Sequence, residues 1–206
     1  MAPRTRDPKR TRRRILEAAY KEFYRNGFQG GSINAIVRHA GITKGALFHH
    51  FSGKDALAHA VIDEFLVPAV QRWWVEPLAR ADDPIAAIQD VFRRFRKRIE
   101  QESPASGYVY NGCPICNYAT EMSPLDEEFR QRLHQLYSDW RTAIATALEE
   151  GQFRGSVRKD VRPADEAAFL VATIAGTAST GKAAQKLSLF QHVFRATDRY
   201  LESLRA

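Results

Sequence analysis

GFQGGSINAIVRHAGITKGALFHHFSGKDAL, residues 27–57, is the stretch that decides how this chain is read. Ser32 stands where an N-cap belongs, because its hydroxyl can accept from one of the orphaned N–H groups of a first helical turn. A short helix carrying Ile33, Ile36 and Val37 follows, and Gly41 ends it. Thr43 is a second N-cap, opening another short helix from Lys44 to Phe51 that closes at Ser52-Gly53. Two short helices joined by Ala40-Gly41-Ile42-Thr43 have the spacing of a helix-turn-helix, in which the second helix can enter a DNA major groove.

Helical periodicity extends in both directions from this unit. Upstream, Ile15, Ala19 and Phe23 share a face with Leu16 and Tyr20 beside them, and Asn26-Gly27 is a C-terminal stop. Downstream, Lys54-Asp55 opens a fourth helix through Leu57, Val61, Phe65 and Leu66, which Pro68 is expected to kink or end. After Asp82-Asp83-Pro84, the series Ile85, Ile88, Phe92, Phe95, Ile99 follows helical spacing, and the run Arg93, Arg94, Arg96, Lys97, Arg98 reads as a solvated face. A Gly/Pro-rich break at 103–112 precedes a short helix from Pro114. A long helix over 125–150 comes next, then one from Pro163 to about Gly181, and a last one over 187–204 with Leu189, Val193, Tyr200 and Leu204. No strand pattern emerges, so the fold class is all-α, without the parallel sheet of an α/β enzyme.

Composition narrows the function classes. The 206 residues are 44% hydrophobic and 27% charged, ordinary for a globular protein, and two cysteines cannot build a secreted disulfide framework. The basic N-terminus is not followed by the apolar core of a signal peptide, and the longest apolar run, around 167–175, is about half a membrane span. A cytoplasmic protein without a membrane partner is therefore expected. The net charge of +7 is unevenly distributed. Residues 1–55 hold 12 Lys/Arg against 4 Asp/Glu, whereas the remainder holds 19 against 20. A basic segment on a neutral body is the electrostatic footprint of a polyanion binder, although the tail with Arg4, Arg6, Lys9, Arg10 and Arg12 could by itself be merely solvated.

Over residues 12–66 the sequence resembles the N-terminal domain of the tetracycline-repressor (TetR) family of transcription regulators. The resemblance rests on Gly27-Phe28, Ile36, Ala40-Gly41, the run Gly45-Ala46-Leu47-Phe48, Phe51 and Lys54-Asp55. It implies that residues 1–55 form a DNA-binding domain, joined through a helix at 54–67 to a helical effector-binding and dimerisation domain over 56–206. Lys44, Gly45 and Ala46 would face base edges. Phe48 and His49 would lie against the DNA, and Ser32, Thr43, His50 and Lys54 would serve phosphate oxygens. Leu47 and Phe51 read as core. Two positions depart from the family pattern. Phe48 stands where Tyr is usual, and Ala35 stands where an acidic residue often closes a capping box, a loss of about 0.5–1 kcal/mol.

For the body, the resemblance implies a homodimer built through the last two long helices, with Phe169, Thr173, Gly176, Val193 and Tyr200 as interface candidates. Periodicity alone fits an intrachain core equally well. An apolar effector site between helices would draw on Trp73, Phe92, Phe95, Tyr110, Cys113, Tyr118, Tyr137 and Trp140. The pointed chemistry lies in NGCPICNYATEMSPLDEEF, residues 111–129, where Cys113 and Cys116 share a helical face near a helix start. Two cysteines without a second ligand pair fall short of a zinc site, so no metal or cofactor is expected. Two readings stay open: cysteines buried as small hydrophobes, or a thiol switch. Cys113, Asn117, Ala119 and Glu121 resemble a segment of the TetR subgroup that includes the electrophile-responsive repressor of N-ethylmaleimide reductase. That resemblance implies Cys113 as a sensing thiol with Lys182 as its neighbour, and Cys116 as a possible disulfide partner.

The expectation is a one-component regulator, a repressor released from a palindromic operator by a small molecule or by thiol modification, and not an enzyme. The rival readings are a thiol oxidoreductase built on Cys113-Pro114-Ile115-Cys116 and a non-specific DNA binder. No Gly-rich phosphate loop, HExxH or GxSxG motif is present in the sequence.

Overall fold

A computed structural model describes residues 7–102 and 107–206. Arg4 and Arg6 of the basic tail lie outside them, as do 103–106 of the Gly/Pro-rich break. The described residues form ten helical elements in succession: α1 (Pro8–Gly30), α2 (Ile33–Ala40), α3 (Lys44–His50), α4 (54–78), α5 (Pro84–Gln101), the single turn α6 (Tyr108–Asn111), α7 (Pro114–Met122), α8 (Glu127–Arg154), α9 (Pro163–Ala184) and α10 (Leu187–Glu202). Among the described residues the only extended pairing is an isolated bridge between Val157 and Arg205. The fold is all-α, as the periodicity required.

Helix α4 does not stop at Pro68. It runs through the segments Lys54–Val61, Ile62–Leu66, Val67–Val70, Gln71–Val75 and Glu76–Leu78, the second and fourth of which are π-helical turns. One residue separates the end of each wide turn from a proline. The Val67 N–H bonds Ile62 O ahead of Pro68, and the Glu76 N–H bonds Gln71 O ahead of Pro77. Widening the ladder by one residue makes room for a ring that would clash with the carbonyl four residues back, so the helix continues where the proline alone suggested a kink or an end.

Helices α1, α2 and α3 enclose Ile15, Leu16, Ala19, Ile36, Leu47 and Phe51, all buried. Leu47 and Phe51 are thus core. The cap residues act as the sequence suggested: Ser32 Oγ accepts from the Ala35 N–H at 3.4 Å and Thr43 Oγ1 from the Ala46 N–H at 3.2 Å. Gly41 adopts the left-handed conformation (φ 60°) that the tight turn needs. The missing capping-box carboxylate is replaced across space. Buried Glu22 of α1 accepts the Ser32 N–H at 3.1 Å, so the N–H that an acidic residue at 35 would have served is satisfied.

In the body, α8 and α9 lie side by side, and α10 packs on both α5 and α9. The buried face of α10 is Phe190, Phe194, Thr197 and Leu201. Of the spaced residues Leu189, Val193, Tyr200 and Leu204, the last is buried and the other three are half-buried along the flank of the helix. Spacing alone does not say which stripe faces inward.

Candidate nucleic-acid interface and adjoining cavity

Helix α3 presents its first turn outward. Thr43, Lys44 and Gly45 are exposed, Ala46 is half-buried, and a Cβ placed on Gly45 would meet nothing within 4 Å. Phe48 is 46% exposed, unusual for a large aromatic ring, and His49 beside it is exposed. His50 is half-buried, and its ring lies edge-on to His49 with centroids 5.4 Å apart. Ser32, at the start of α2, is exposed as well. Lys54 is placed differently from a free phosphate-binding cation: its ammonium donates to Gln29 O at 3.1 Å and lies 4.8 Å from the centre of the Phe28 ring. It ties the start of α4 to the end of α1. Arg14 adds a further tie, donating to the carbonyls of Ala40 and Gly41 at the turn itself.

The end of α1 is where this unit meets the body. Gly27 breaks the helix with φ 73° and ψ 172°, which turns the N–H groups of Phe28 and Gln29 toward α7. The Glu121 carboxylate accepts both, at 2.8 and 2.7 Å. A Cβ on Gly27 would stand 2.9 Å from Glu121 Oε2, so this clamp needs glycine for space as well as for dihedral. Tyr24 donates to Gly112 O at 2.8 Å, and Tyr118 sits 6.4 Å from Phe23 and stacks at 6.2 Å on Phe129. The sequence marked Glu121 only as part of a resemblance. Its partners lie 92 and 93 residues away, so no local pattern could have revealed them.

Behind α7 lies a cavity of about 500 Å³. Of the aromatic and cysteine residues proposed for an effector site, Trp73, Phe92, Phe95, Cys113 and Trp140 line it. Tyr110 is instead 45% exposed at the surface. Tyr118 is committed to the junction with α1. Tyr137 sits behind the wall, stacked on Trp140 at 6.3 Å with its hydroxyl donating to Cys116 Sγ at 3.3 Å. The lining also includes residues that the sequence did not assign to it: Tyr20 and Tyr24 from α1, Arg72 from the second π turn, and Arg98 and Glu102 at the end of α5. Arg98 is therefore more than a solvated charge, since its guanidinium also covers the Trp73 ring at 5.8 Å.

Cys113 occupies the N-cap of α7, a position usually held by Ser, Thr, Asp or Asn, and it is buried. The Cys116 thiol donates to it, the Cys116 and Ile115 N–H groups point at it, and the Tyr108 hydroxyl bonds it; against the opposing effect of burial, these pull its pKa down to about 7. Cys116 shifts upward, because it donates to Cys113 and is itself buried. Lys182 is not one of the groups that hold Cys113. Its ammonium bonds Asn117 Oδ1 at 3.5 Å and its chain packs against Gly112.

On the far side of the body, α9 exposes Phe169, Gly176 and Ala172, with Thr173 half-buried, and Phe169 packs on Tyr200 of α10 with ring centroids 4.9 Å apart. Tyr200 also donates to the Glu166 carboxylate, and burial together with that bond raises its pKa to about 12.

The family of bacterial regulatory proteins named for TetR matches residues 15–61, and the tetracyclin repressor-like C-terminal domain matches 84–197. The chain belongs to the TetR family. An HTH-type transcriptional regulator in the lacX 3' region of Lactococcus lactis subsp. lactis is 30% identical over 184 residues, 89% of each chain. The transcriptional repressor DhaR of Mycobacterium sp. (strain GP1) is 28% identical over 166 residues, 80% of this chain and 79% of its own. A TetR transcriptional regulator from Chloroflexus aurantiacus J-10-FL superposes with a TM-score of 0.81 at 26% identity, covering 96% of this chain and 97% of that one. This TetR-family member is accordingly a DNA-binding transcriptional regulator with an N-terminal helix-turn-helix and a helical C-terminal body. Among the described residues, no helix is long and apolar enough to cross a membrane.

Proposed function

We propose that this regulator is a cytoplasmic homodimeric repressor that reads a palindromic operator and is released by occupancy of the cavity or by modification of Cys113. The reading takes residues 1–55 as the DNA-binding domain and 56–206 as the effector-binding and dimerisation domain. Lys44, Gly45 and Ala46 read bases, Phe48 and His49 lie against the duplex, and Ser32, Thr43 and His50 serve phosphates. Lys54 acts by bracing α1 against α4 as well as by its charge. Two copies joined along α9 and α10, through the surface that carries Phe169, Thr173, Gly176, Val193 and Tyr200, would present two recognition helices. Those helices fit successive major grooves only at a spacing of roughly 34–36 Å.

The observation that carries the release mechanism is the course of α7. Its N-terminal end, Cys113 to Ile115, is cavity wall, and eight residues on, about 12 Å along the axis, Glu121 holds the amides that precede α2. Anything that shifts the first turn of α7 acts on that clamp, and through it on the angle of the helix-turn-helix. A thiol switch at Cys113 in the manner of the electrophile-responsive subgroup is supported by its lowered pKa and by the facing Cys116, and it uses the same route.

The test is a titration of the purified protein onto labelled DNA flanking its own gene, with scrambled competitor, at two salt concentrations. Two chains per site with steep salt dependence and resistance to competitor is the expected outcome. Equal affinity for scrambled DNA overturns the operator reading. Multiple turnovers of a disulfide substrate per chain would move Cys113 and Cys116 to an oxidoreductase role, because a sensor thiol reacts once.

A further inference from the structure

We propose that the cavity takes an amphipathic anion, a molecule with an apolar ring-bearing body that ends in a carboxylate. This inference rests on the reading of the cavity as the effector site. The inner wall accounts for the body: Trp74, Phe92 and Trp140 are each less than a tenth exposed and line it with apolar surface. The polar groups account for the anion. Among the described residues the wall holds one carboxylate, Glu102, and it is already engaged, accepting from Arg98 Nε at 3.0 Å and from the Tyr108 N–H at 2.6 Å. Tyr24 spends its hydroxyl on Gly112 O. Cys113, the other group of the wall that can carry negative charge, is held by Cys116 and Tyr108, so the charged side chains left without a full set of partners are donors. Arg72 has no ion pair, hydrogen bond or ring contact among the described residues, and Arg98 keeps the terminal nitrogens of its guanidinium.

Arg72 and Arg98 are both exposed residues, so the carboxylate would be held at the cavity rim, partly hydrated, while the rings enter. That arrangement avoids the cost of burying an ion in an apolar chamber.

The experiment uses the protein's own reporters, because all three of its tryptophans, Trp73, Trp74 and Trp140, line the cavity. Full-length protein excited in the red edge of tryptophan absorption is titrated with 4-phenylbutyrate and, in parallel, with the neutral 4-phenylbutanamide. The carboxylate is expected to quench with a Kd at least about tenfold lower than the amide. Arg72→Met should reduce that ratio to about twofold and leave the affinity for the amide unchanged, and Arg98→Met should act in the same direction. Equal affinities for the two probes in the unmodified protein, or a preference that survives in both variants, overturn the anion proposal and leave the cavity reading in place. Absence of quenching by either probe overturns the cavity reading and the proposal with it.

Discussion

The DNA-reading helices and the short helices α6 and α7 of the cavity wall begin in different ways. Each of α1, α2 and α3 opens on a side-chain cap, from Asp7, Ser32 and Thr43, as do the long cavity helices α5 and α8, from Asp83 and Asp126, whereas α6 and α7, like α9 and α10, open on Gly107, Cys113, Arg162 and Lys186 without an oxygen cap. The first group is specified locally, by residues two or three positions from the groups they satisfy. The second is held by distant packing, such as Phe95 against Tyr108 at 4.7 Å and Tyr108 against Phe190 at 6.0 Å. A reading head must keep one geometry whether or not an effector is present, which local caps favour. A cavity wall that responds to a ligand is better made from elements whose ends are not individually fixed.

The contrast can be broken at its strongest point by Leu47→Ala, which removes a fully buried side chain from the small core of the head. It should destabilise by about 2–5 kcal/mol, measured by urea denaturation, and abolish operator binding. Glu121→Ala attacks the joint between the two regions. Losing a charged acceptor for two amides should cost about 1.5–3 kcal/mol and weaken the response of DNA affinity to cavity ligands more than DNA affinity itself. An effector response unchanged in Glu121→Ala would remove α7 as the connecting element.

Cys113 sharpens the comparison, because in an uncapped helix its thiolate itself takes the place of the cap. With its pKa lowered to about 7, the reactive form dominates above that pH. Iodoacetamide labelling in Cys116→Ser protein tests how much of the shift Cys116 supplies. In the unmodified protein the labelling rate should rise with a midpoint near pH 7, be lost below about pH 6, and level off before the 8.5 of an ordinary thiol. A midpoint at or above 8.5 refutes the activated-thiol reading. Thr43→Ala should cost about 1 kcal/mol and loosen the first turn of α3. The smallest effect is expected at the exposed Arg12–Glu64 pair on α1 and α4, where Glu64→Gln should change stability by less than about 1 kcal/mol.

The legibility of the sequence follows the same division. Ser32, Gly41 and Thr43 could be assigned because a cap or a turn places its chemistry within a few residues. Ala35 shows where that stops: its deficiency was visible, but the compensation by Glu22 comes from another helix. In α10 the spacing picks out Leu189, Val193, Tyr200 and Leu204 as one stripe, whereas Phe190, Phe194 and Leu201 are the buried residues beside Leu204. Amphipathic spacing defines a stripe without saying what will cover it. Tyr110, Tyr118 and Tyr137 were grouped with the cavity residues on aromatic character alone. The fold assigns them to the surface, to the α1 junction and to a layer behind the wall.

By itself, then, the sequence determined the all-helical class, the helix-turn-helix with its exposed Lys44-Gly45 turn, and the concentration of positive charge in the first 55 residues. These depend on periodicity, local hydrogen bonding and composition, all of which are short-range. Only the tertiary structure decided that α4 passes through Pro68, that Glu121 holds the amides of Phe28 and Gln29, and that Arg72 and Arg98 share a cavity with three tryptophans. Those outcomes join residues that are far apart in the chain, and such pairings are fixed by how whole helices pack rather than by any single neighbourhood of the sequence.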